Sequence, residues 1–329
     1  MRVGVCATLL LAVTLAVWAP TLGLGMIYED RRDPHITLDA GRMMAIMIEQ
    51  PTRLLTAGTR VLELTLCGVD ASCFHAGNVL LHLVNTALLF SLAWLILPPW
   101  GAVAAAVVFA LHPIQTEAVA YVSARSDLLS ASGVLLAVLS ASLGSLPGAV
   151  VGAVFASLAK ETAIVAWGLV FLWAAWTRQT AFLVRFTVMG AVGTGIAAYL
   201  SLYYIKAAIL ALSWELAGQQ LTTIGRLILL VLVPYGFTID HDWTAIAWLG
   251  PMALMVAAGA TIWALTWGWW SRNWMALAWL WTLVALSPRL VVPLYEGLHD
   301  RHFLTPMIGW ALCAGVLLTK TRAGDEAHG

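Results

Sequence analysis

Charge is what this chain has least of. Only 10% of its 329 residues are Asp, Glu, Lys or Arg, 17 of each sign, and the formal net charge is zero. Soluble domains carry about 25% charged residues, so a water-facing globule, and with it a soluble metabolic enzyme, is excluded. No block of Lys and Arg stands anywhere in the sequence. That excludes a nucleic-acid binder, which needs a concentrated basic face to neutralise phosphates. Cysteine is also scarce: the four, at 6, 67, 73 and 313, lack the closely spaced pairs that a structural zinc site requires. Cys67 and Cys73 share one loop, and they either form a small disulfide, if that loop faces an oxidising compartment, or remain two thiols. Internal repeats, low-complexity tracts and a separate soluble domain are absent as well.

Apolar sequence fills the space that charge leaves. The chain is 61% hydrophobic with a mean hydropathy of +0.87, which predicts an all-α polytopic membrane protein. Apolar stretches approaching the roughly 30 Å of a bilayer core fall at 3–27, 76–97, 100–112, 128–146, 147–159, 162–176, 186–210, 219–233, 245–268, 274–286 and 303–320. The first is too long for the apolar region of a signal peptide, about 7 to 15 residues, and no small-residue cleavage box stands out, so it reads as an anchor. Residues 147–176 are interrupted only by Lys160-Glu161. As one straight helix they would be about 45 Å long. Two short passes turning at the ionic pair are predicted instead, with the membrane face indented and the pair at the floor of a polar cavity.

Cytoplasmic loops collect Lys and Arg, and Arg178, Arg185, Arg272, Lys320 and Arg322 share one side if the short stretch 219–233, which carries Arg226, enters and leaves by the same face. The expected result is about ten or eleven transmembrane helices with both termini inside, a single transmembrane domain over 1–320 and a short cytoplasmic tail at 321–329. The outer face then receives a long first loop at 28–74, together with 112–127, 160–161, 237–244 and 287–302. Within the long loop, 36–48 and 54–66 alternate charged with apolar positions, as short amphipathic helices on a membrane surface do.

Charges beside membrane helices are costly and therefore functional or paired. Glu29 and Asp30 follow the first anchor, where two carboxylates either supply a general base or form a solvated stop signal with Arg31 and Arg32. His75, Asn78, His82 and Asn85 are spaced for one helix face, which suits interhelical hydrogen bonding better than metal binding, since no carboxylate completes the set. The stretch 112–127 packs His112, Glu117, Arg125 and Asp127 between two apolar helices. There Arg125 either holds a phosphate, which fits a guanidinium fork, or pairs with Glu117 or Asp127. Lys160-Glu161 is either a neutral buried pair or an anion site. Asp240-His241-Asp242 and His299-Asp300-Arg301-His302 add titratable groups. Trp263, Trp267, Trp269, Trp270 and Trp274 read as an interfacial belt.

Several of these segments resemble one family. Residues 112–127 fit HPxxTExVxxxxxRxD, a stretch of the membrane O-mannosyltransferases that carry tetratricopeptide repeats and of their bacterial relatives. The Pro51-Thr-Arg-Leu-Leu-Thr run followed by Phe74-His75-x-x-Asn78-x-x-x-His82 is similar to the family's RPL…T and FHxxNxxxH. Lys160-Glu161 resembles its KE signature, 230–243 its LLxPxGLxxDHD segment and 300–306 its ERYxYxP segment. The resemblance implies a glycosyltransferase of the C type, using a polyprenyl-phosphate-linked sugar at the outer face of a membrane, here a bacterial inner membrane with the site on its periplasmic side. It implies Glu29 or Asp30 as base or acceptor-orienting group, and Arg125, Lys160 and Arg301 as donor-phosphate ligands. His75, Asn78, His82, His112, Glu117, Asp127, Glu161, Asp240 and Asp242 then support the site. The acceptor is a hydroxyl on an extracytoplasmic protein or glycan, and no cofactor or metal is expected. The family's paired aspartates are Glu-Asp here, its ERY is Asp300-Arg301-His302 and its tetratricopeptide domain is absent. A transporter or lipid-linked-sugar flippase, with intramembrane charges marking a path, and a non-catalytic homologue are the rival readings.

Overall fold

A computed structural model describes residues 2–26, 51–200, 230–231, 233–234, 250–291 and 299–326. All the regular structure among the described residues is helical: α1 (Val3–Trp18), α2 (Leu54–Cys67), α3 (Ala71–Ile96), α4 (Pro99–Leu111), α5 (Thr116–Ala120), α6 (Arg125–Ser142), α7 (Leu146–Ala159), α8 (Val165–Trp176), α9 (Thr180–Leu200), α10 (Gly250–Trp263), α11 (Trp274–Val291) and α12 (Leu304–Glu326). Four helical stretches are long and apolar enough to cross a membrane: Val3–Gly23, Ala71–Ile96, Val122–Ser142 and Asp300–Thr319. The segments Pro99–Leu111 and Pro113–Ala120, bent by 46°, make a fifth if they act as one span. The other apolar helices described are shorter. Within the described residues, prolines and ionic residues cut several apolar runs that hydropathy reads as continuous. The expected turn at Lys160-Glu161 is one such cut, dividing α7 from α8. The stretch 36–48 and nearly all of 219–233 lie outside the described residues. Helix α12 continues to Glu326, into the stretch expected as a tail.

Successive helices run back and forth between two ends. Helix α1 brings Trp18 up to the end of α4, where the indole Nε1 donates to the Ala110 carbonyl at 2.9 Å. Helix α3 starts at that same end, where Asp70 caps it by accepting from the Ser72 N–H at 3.0 Å. The Cys67–Cys73 disulfide ties α2 to α3 there, settling the open choice between bridge and free thiols. Trp173 of α8 donates to Ser142 Oγ of α6 at 2.8 Å, which places the last turns of both helices at the opposite, far end. Two far-end hairpin turns place non-glycine residues in the left-handed region, Arg178 at φ 58° and Arg272 at φ 54°.

Small residues let these helices approach closely, as lipid-embedded helices require. A Cβ on Gly133 of α6 would lie 2.5 Å from the Ala156 backbone nitrogen of α7, and one on Gly152 would lie 2.5 Å from that of Ala137. The same device joins α4 to α12, since a Cβ on Gly315 would meet the Gly101 carbonyl at 2.5 Å. The polar stripe of α3 faces inward at full burial. Asn78 Nδ2 donates to the Tyr121 carbonyl at 2.9 Å, and Asn85 Nδ2 to that of Leu128 at 3.0 Å. Ser132 Oγ returns a bond to Asn85 Oδ1 at 2.6 Å. Of the expected tryptophan belt, Trp267 and Trp270 are exposed, whereas Trp269 and Trp274 pack edge-on against Trp176.

Candidate active site

The polar end is organised by an elbow between α4 and α6, and its geometry follows from the His112-Pro113 pair. Proline has no N–H to continue α4, so the Phe109 carbonyl takes a 3.3 Å bond from Gln115 Nε2. The Ile114 N–H bonds His112 Nδ1 at 3.2 Å, which leaves the Ala110 carbonyl to Trp18 and to His82 Nε2 at 3.0 Å. His112 Nε2 in turn lies 3.1 Å from the Val231 carbonyl. The chain then makes the single turn and a half of α5 and a 3-10 turn before α6 begins at Arg125. Glu117 and Tyr121 are thereby buried at the inner side of the elbow.

Four Lys or Arg ion pairs stand on this end among the described residues, and three of them lie in a row. Glu117 receives Arg301 twice, with Nη1 donating to Oε1 at 2.6 Å and the Arg301 backbone N–H to Oε2 at 2.9 Å. The Arg301 guanidinium also lies over the Tyr121 ring, 5.2 Å from its centroid. Lys160 Nζ donates to Asp127 Oδ1 at 2.5 Å. Arg53 grips Glu161 with two bonds, Nε to Oε2 at 3.0 Å and Nη2 to Oε1 at 2.8 Å. Asp127 acts electrostatically on Arg301, and Lys160 on Glu161. The six groups therefore form one row of alternating sign: Glu117, Arg301, Asp127, Lys160, Glu161, Arg53. Burial alone would lift the Glu161 carboxyl, yet Arg53 and Lys160 hold it down at about 2.

Two of the pairings left open by the sequence are not formed. Lys160 and Glu161 do not pair with each other, because the 3-10 turn that starts α8 points them to separate partners, Asp127 and Arg53. Arg125 pairs with neither Glu117 nor Asp127. Its Nη1 bonds Glu63 of α2, its Nε donates to Asn78 Oδ1 at 3.0 Å and its Nη2 donates to the Phe74 carbonyl at 2.7 Å. The side chain is only 1% exposed. Gly77 leaves the room for it, since a Cβ there would sit 2.8 Å from Arg125 Nη2. Glu63 itself is half-buried, and that burial raises its carboxyl above the ordinary range despite Arg125 and Arg60. Arg60 Nη2 donates to the Val122 carbonyl at 3.0 Å, and Thr56 Oγ1 to that of Ala159 at 2.8 Å, so α2 is tied across the tops of α6 and α7.

The structure thus gathers Glu117, Asp127, Lys160, Glu161 and Arg301 at one end, with Arg125, Asn78 and His75 in the layer beneath. Glu29, Asp30, Asp240 and Asp242 lie outside the described residues. Sequence reasoning missed Arg53, Glu63 and Tyr121 as members. Arg53 was in view inside the Pro51-Thr-Arg run, and the signal for it was the need of Glu161 for a cation other than its neighbour. Among the described residues no three His, Cys, Asp or Glu side chains stand together as metal ligands would.

No protein-family model matches the chain, and no solved structure matches it. Curated relatives do. Protein O-mannosyl-transferase Tmtc1 of Drosophila melanogaster is 35% identical over 179 residues, 47% of this chain and 21% of that protein. Drosophila Protein O-mannosyl-transferase Tmtc2 is 33% identical over 147 residues, 39% of this chain and 16% of the relative. Human Protein O-mannosyl-transferase TMTC1 is 40% identical over 90 residues, 27% and 10% of the two chains. The chain spans about a fifth or less of the length of these relatives, and it is related in part to proteins named O-mannosyl-transferases.

Proposed function

We propose that the chain is an integral-membrane glycosyltransferase of the C type, crossing the bilayer about ten times, that moves one sugar from a polyprenyl-phosphate donor to a hydroxyl on an extracytoplasmic protein or glycan. The observation that carries this reading is the alternating row from Glu117 to Arg53 at one end of an apolar helical bundle. The relatives named O-mannosyl-transferases supply the reaction class. The Cys67–Cys73 bridge at that end favours an oxidising, outer compartment.

In this reading Lys160 and Arg301 bind the donor phosphate by exchanging their present carboxylate partners for its oxygens. Asp127 and Glu117 keep the two cations placed until donor arrives. Glu29 or Asp30 removes the acceptor proton, the acceptor oxygen forms its bond to the anomeric carbon, and the sugar–phosphate bond breaks with its electron pair going to the phosphate. Cations fixed where that charge develops lower the barrier. The burial of Arg125 and its three protein acceptors favour a strut under the site over a phosphate ligand. No step in this reading calls for a metal, so transfer is expected to persist in chelator.

The test is transfer by the purified chain in lipid nanodiscs, with a polyprenyl-phosphate sugar and a mixed peptide and glycan acceptor pool read by mass spectrometry. Lys160→Met and Arg301→Gln should each lower kcat/KM for donor at least about a hundredfold while the protein remains folded. Glu29→Gln with Asp30→Asn should abolish transfer without weakening donor binding. Full activity in the folded Lys160 and Arg301 variants would falsify the phosphate assignment.

A further inference from the structure

An apolar groove of about 680 Å³ runs along α8 toward the far end of the bundle, between α8, the π-helical turn Ala264–Gly268 and α11. Gly168, Phe171, Leu265, Trp269, Trp270 and Val284 line it, and Trp270 is 76% exposed. The two left-handed arginines lie in the turns that follow its lining residues Ala175 and Trp270. Arg272 is held over Trp176 and Trp269, 5.2 and 5.7 Å from the ring centroids, and its Nη1 donates to the Trp176 carbonyl. Trp269 is thus shared between the arginine and the groove. Arg178 is exposed and follows by two residues the Trp176 carbonyl that Arg272 reaches, so the two arginines belong to adjoining turns. The neighbouring turns, 143–145, 177–179 and 271–273, contain no Asp or Glu, so this pair of like charges has no acidic partner in the turns around it.

The backbone makes the placement more pointed. Both hairpins close with the bond of a glycine-type helix stop, Gln179 N–H to the Ala174 carbonyl at 2.9 Å and Asn273 N–H to that of Gly268 at 3.0 Å. The left-handed position in such a stop ordinarily belongs to glycine. Here an arginine occupies it twice, at φ 58° and φ 54°. Backbone conformations unfavourable to the residue that adopts them persist where function requires that residue.

We propose that this groove and its two arginines form a binding site for an anionic glycerophospholipid, with an acyl chain in the groove and the phosphate between Arg178 and Arg272. The chemistry is that of a basic pocket at the rim of a membrane-facing groove, where a guanidinium fork matches phosphate oxygens. A zwitterionic headgroup would bring its own cation beside the same two guanidiniums, whereas an anionic one brings none. The site is at the other end of the bundle from the alternating row and does not depend on the activity proposed for that row.

Lipid retention tests this directly. The full chain is purified in mild detergent, offered phosphatidylglycerol and phosphatidylcholine in equal amounts, and examined by native mass spectrometry. One phosphatidylglycerol per chain is expected in preference to phosphatidylcholine. Arg178→Gly with Arg272→Gly should weaken that binding by roughly 30-fold, taking about 1 kcal/mol per arginine near an anionic headgroup and 1.4 kcal/mol per tenfold. Glycine relieves both left-handed positions, which offsets the loss of Arg272's contacts with Trp176 and Trp269, so the thermal midpoint in lipid-free detergent should stay close to that of the wild type. Arg178→Gly alone, which removes no side-chain bond among the described residues, should weaken binding roughly fivefold on the same constants. Arg178→Lys with Arg272→Lys should retain most of it. Equal retention of the two lipids by the wild type overturns the proposal, as does unchanged phosphatidylglycerol binding in the glycine variants. Displacement of phosphatidylglycerol by an equimolar polyprenyl phosphate would also overturn it, reassigning the site to the donor lipid.

Discussion

Arg125 makes its guanidinium bonds to three parts of the chain, in α2, at the start of α3 and further along α3. Arg125→Met would leave the Glu63 carboxylate half-buried without its main partner, which should cost about 3 kcal/mol, visible as a lowered thermal midpoint in detergent. Donor KM in whatever fraction folds should be unchanged, which separates a strut from a phosphate ligand. Glu63 carries a pH signature. Its folded carboxyl titrates above the ordinary range, so its contribution to stability is complete below the unfolded value, about 4.3. It is lost as the pH climbs through the raised folded value. A plot of thermal midpoint against pH should show a descending step over that acid window, and Glu63→Gln should remove it. The charged residues gathered at this end were legible as a group but not as partners. Glu117 and Arg301 are 184 positions apart and Arg53 and Glu161 are 108 apart. A charge in a sequence is most readily matched to its neighbours, and here the neighbours Lys160 and Glu161 turn away from each other.

Helix contacts follow rules that spacing can reveal. The inward face of α3 was readable because His75, Asn78, His82 and Asn85 recur at helical intervals, and a polar stripe in an apolar helix has to face protein. The break between α7 and α8 was readable because two adjacent charges do not sit inside a straight membrane helix. The glycine contacts were not readable in the same way. Gly133 and Gly152 are ordinary members of apolar runs until the backbones of α6 and α7 are seen to touch there. Gly133→Val should therefore force the two helices apart and lower stability by at least about 2 kcal/mol, measured by unfolding in detergent. Asn85→Ala, which removes bonds to Leu128 and Ser132, should cost nearer about 1 kcal/mol, in keeping with the modest worth of interhelical hydrogen bonds in lipid. An equal effect of the two substitutions would show that α6 and α7 do not pack as closely as their backbones indicate.

At the scale of the whole molecule, the alternating helix directions separate two chemically different ends. The end bearing the disulfide and the ion-pair row should be reachable by membrane-impermeant thiol reagents from the outside, and the end bearing Arg178 and Arg272 only from within. Single cysteines at Val69 and Ser145, both exposed, placed in a chain lacking Cys6 and Cys313, should label from opposite sides of sealed vesicles. Labelling of both from one side would refute the proposed topology. The apolar, all-helical character of the described residues was legible from composition. Where each helix stops was not, because apolar length alone does not reveal it.

Under the proposed function, with a polyprenyl-phosphate donor, the alternating row has a further consequence for how that donor arrives. Three cations facing three carboxylates at contact distance cancel each other beyond a few ångströms, well inside the roughly 8 Å over which physiological salt screens a bare charge. The six described groups by themselves cast little long-range attraction, so they do not draw anionic lipid from a distance as a net-positive cleft would. Capture is left to lateral wandering of the polyprenyl chain within its leaflet, with the cations engaging only on arrival. Donor KM should then change less than about twofold between about 50 and about 500 mM salt. What governs turnover at low donor is the surface density of the lipid in the membrane, and dilution with inert phospholipid should slow the enzyme where added salt does not.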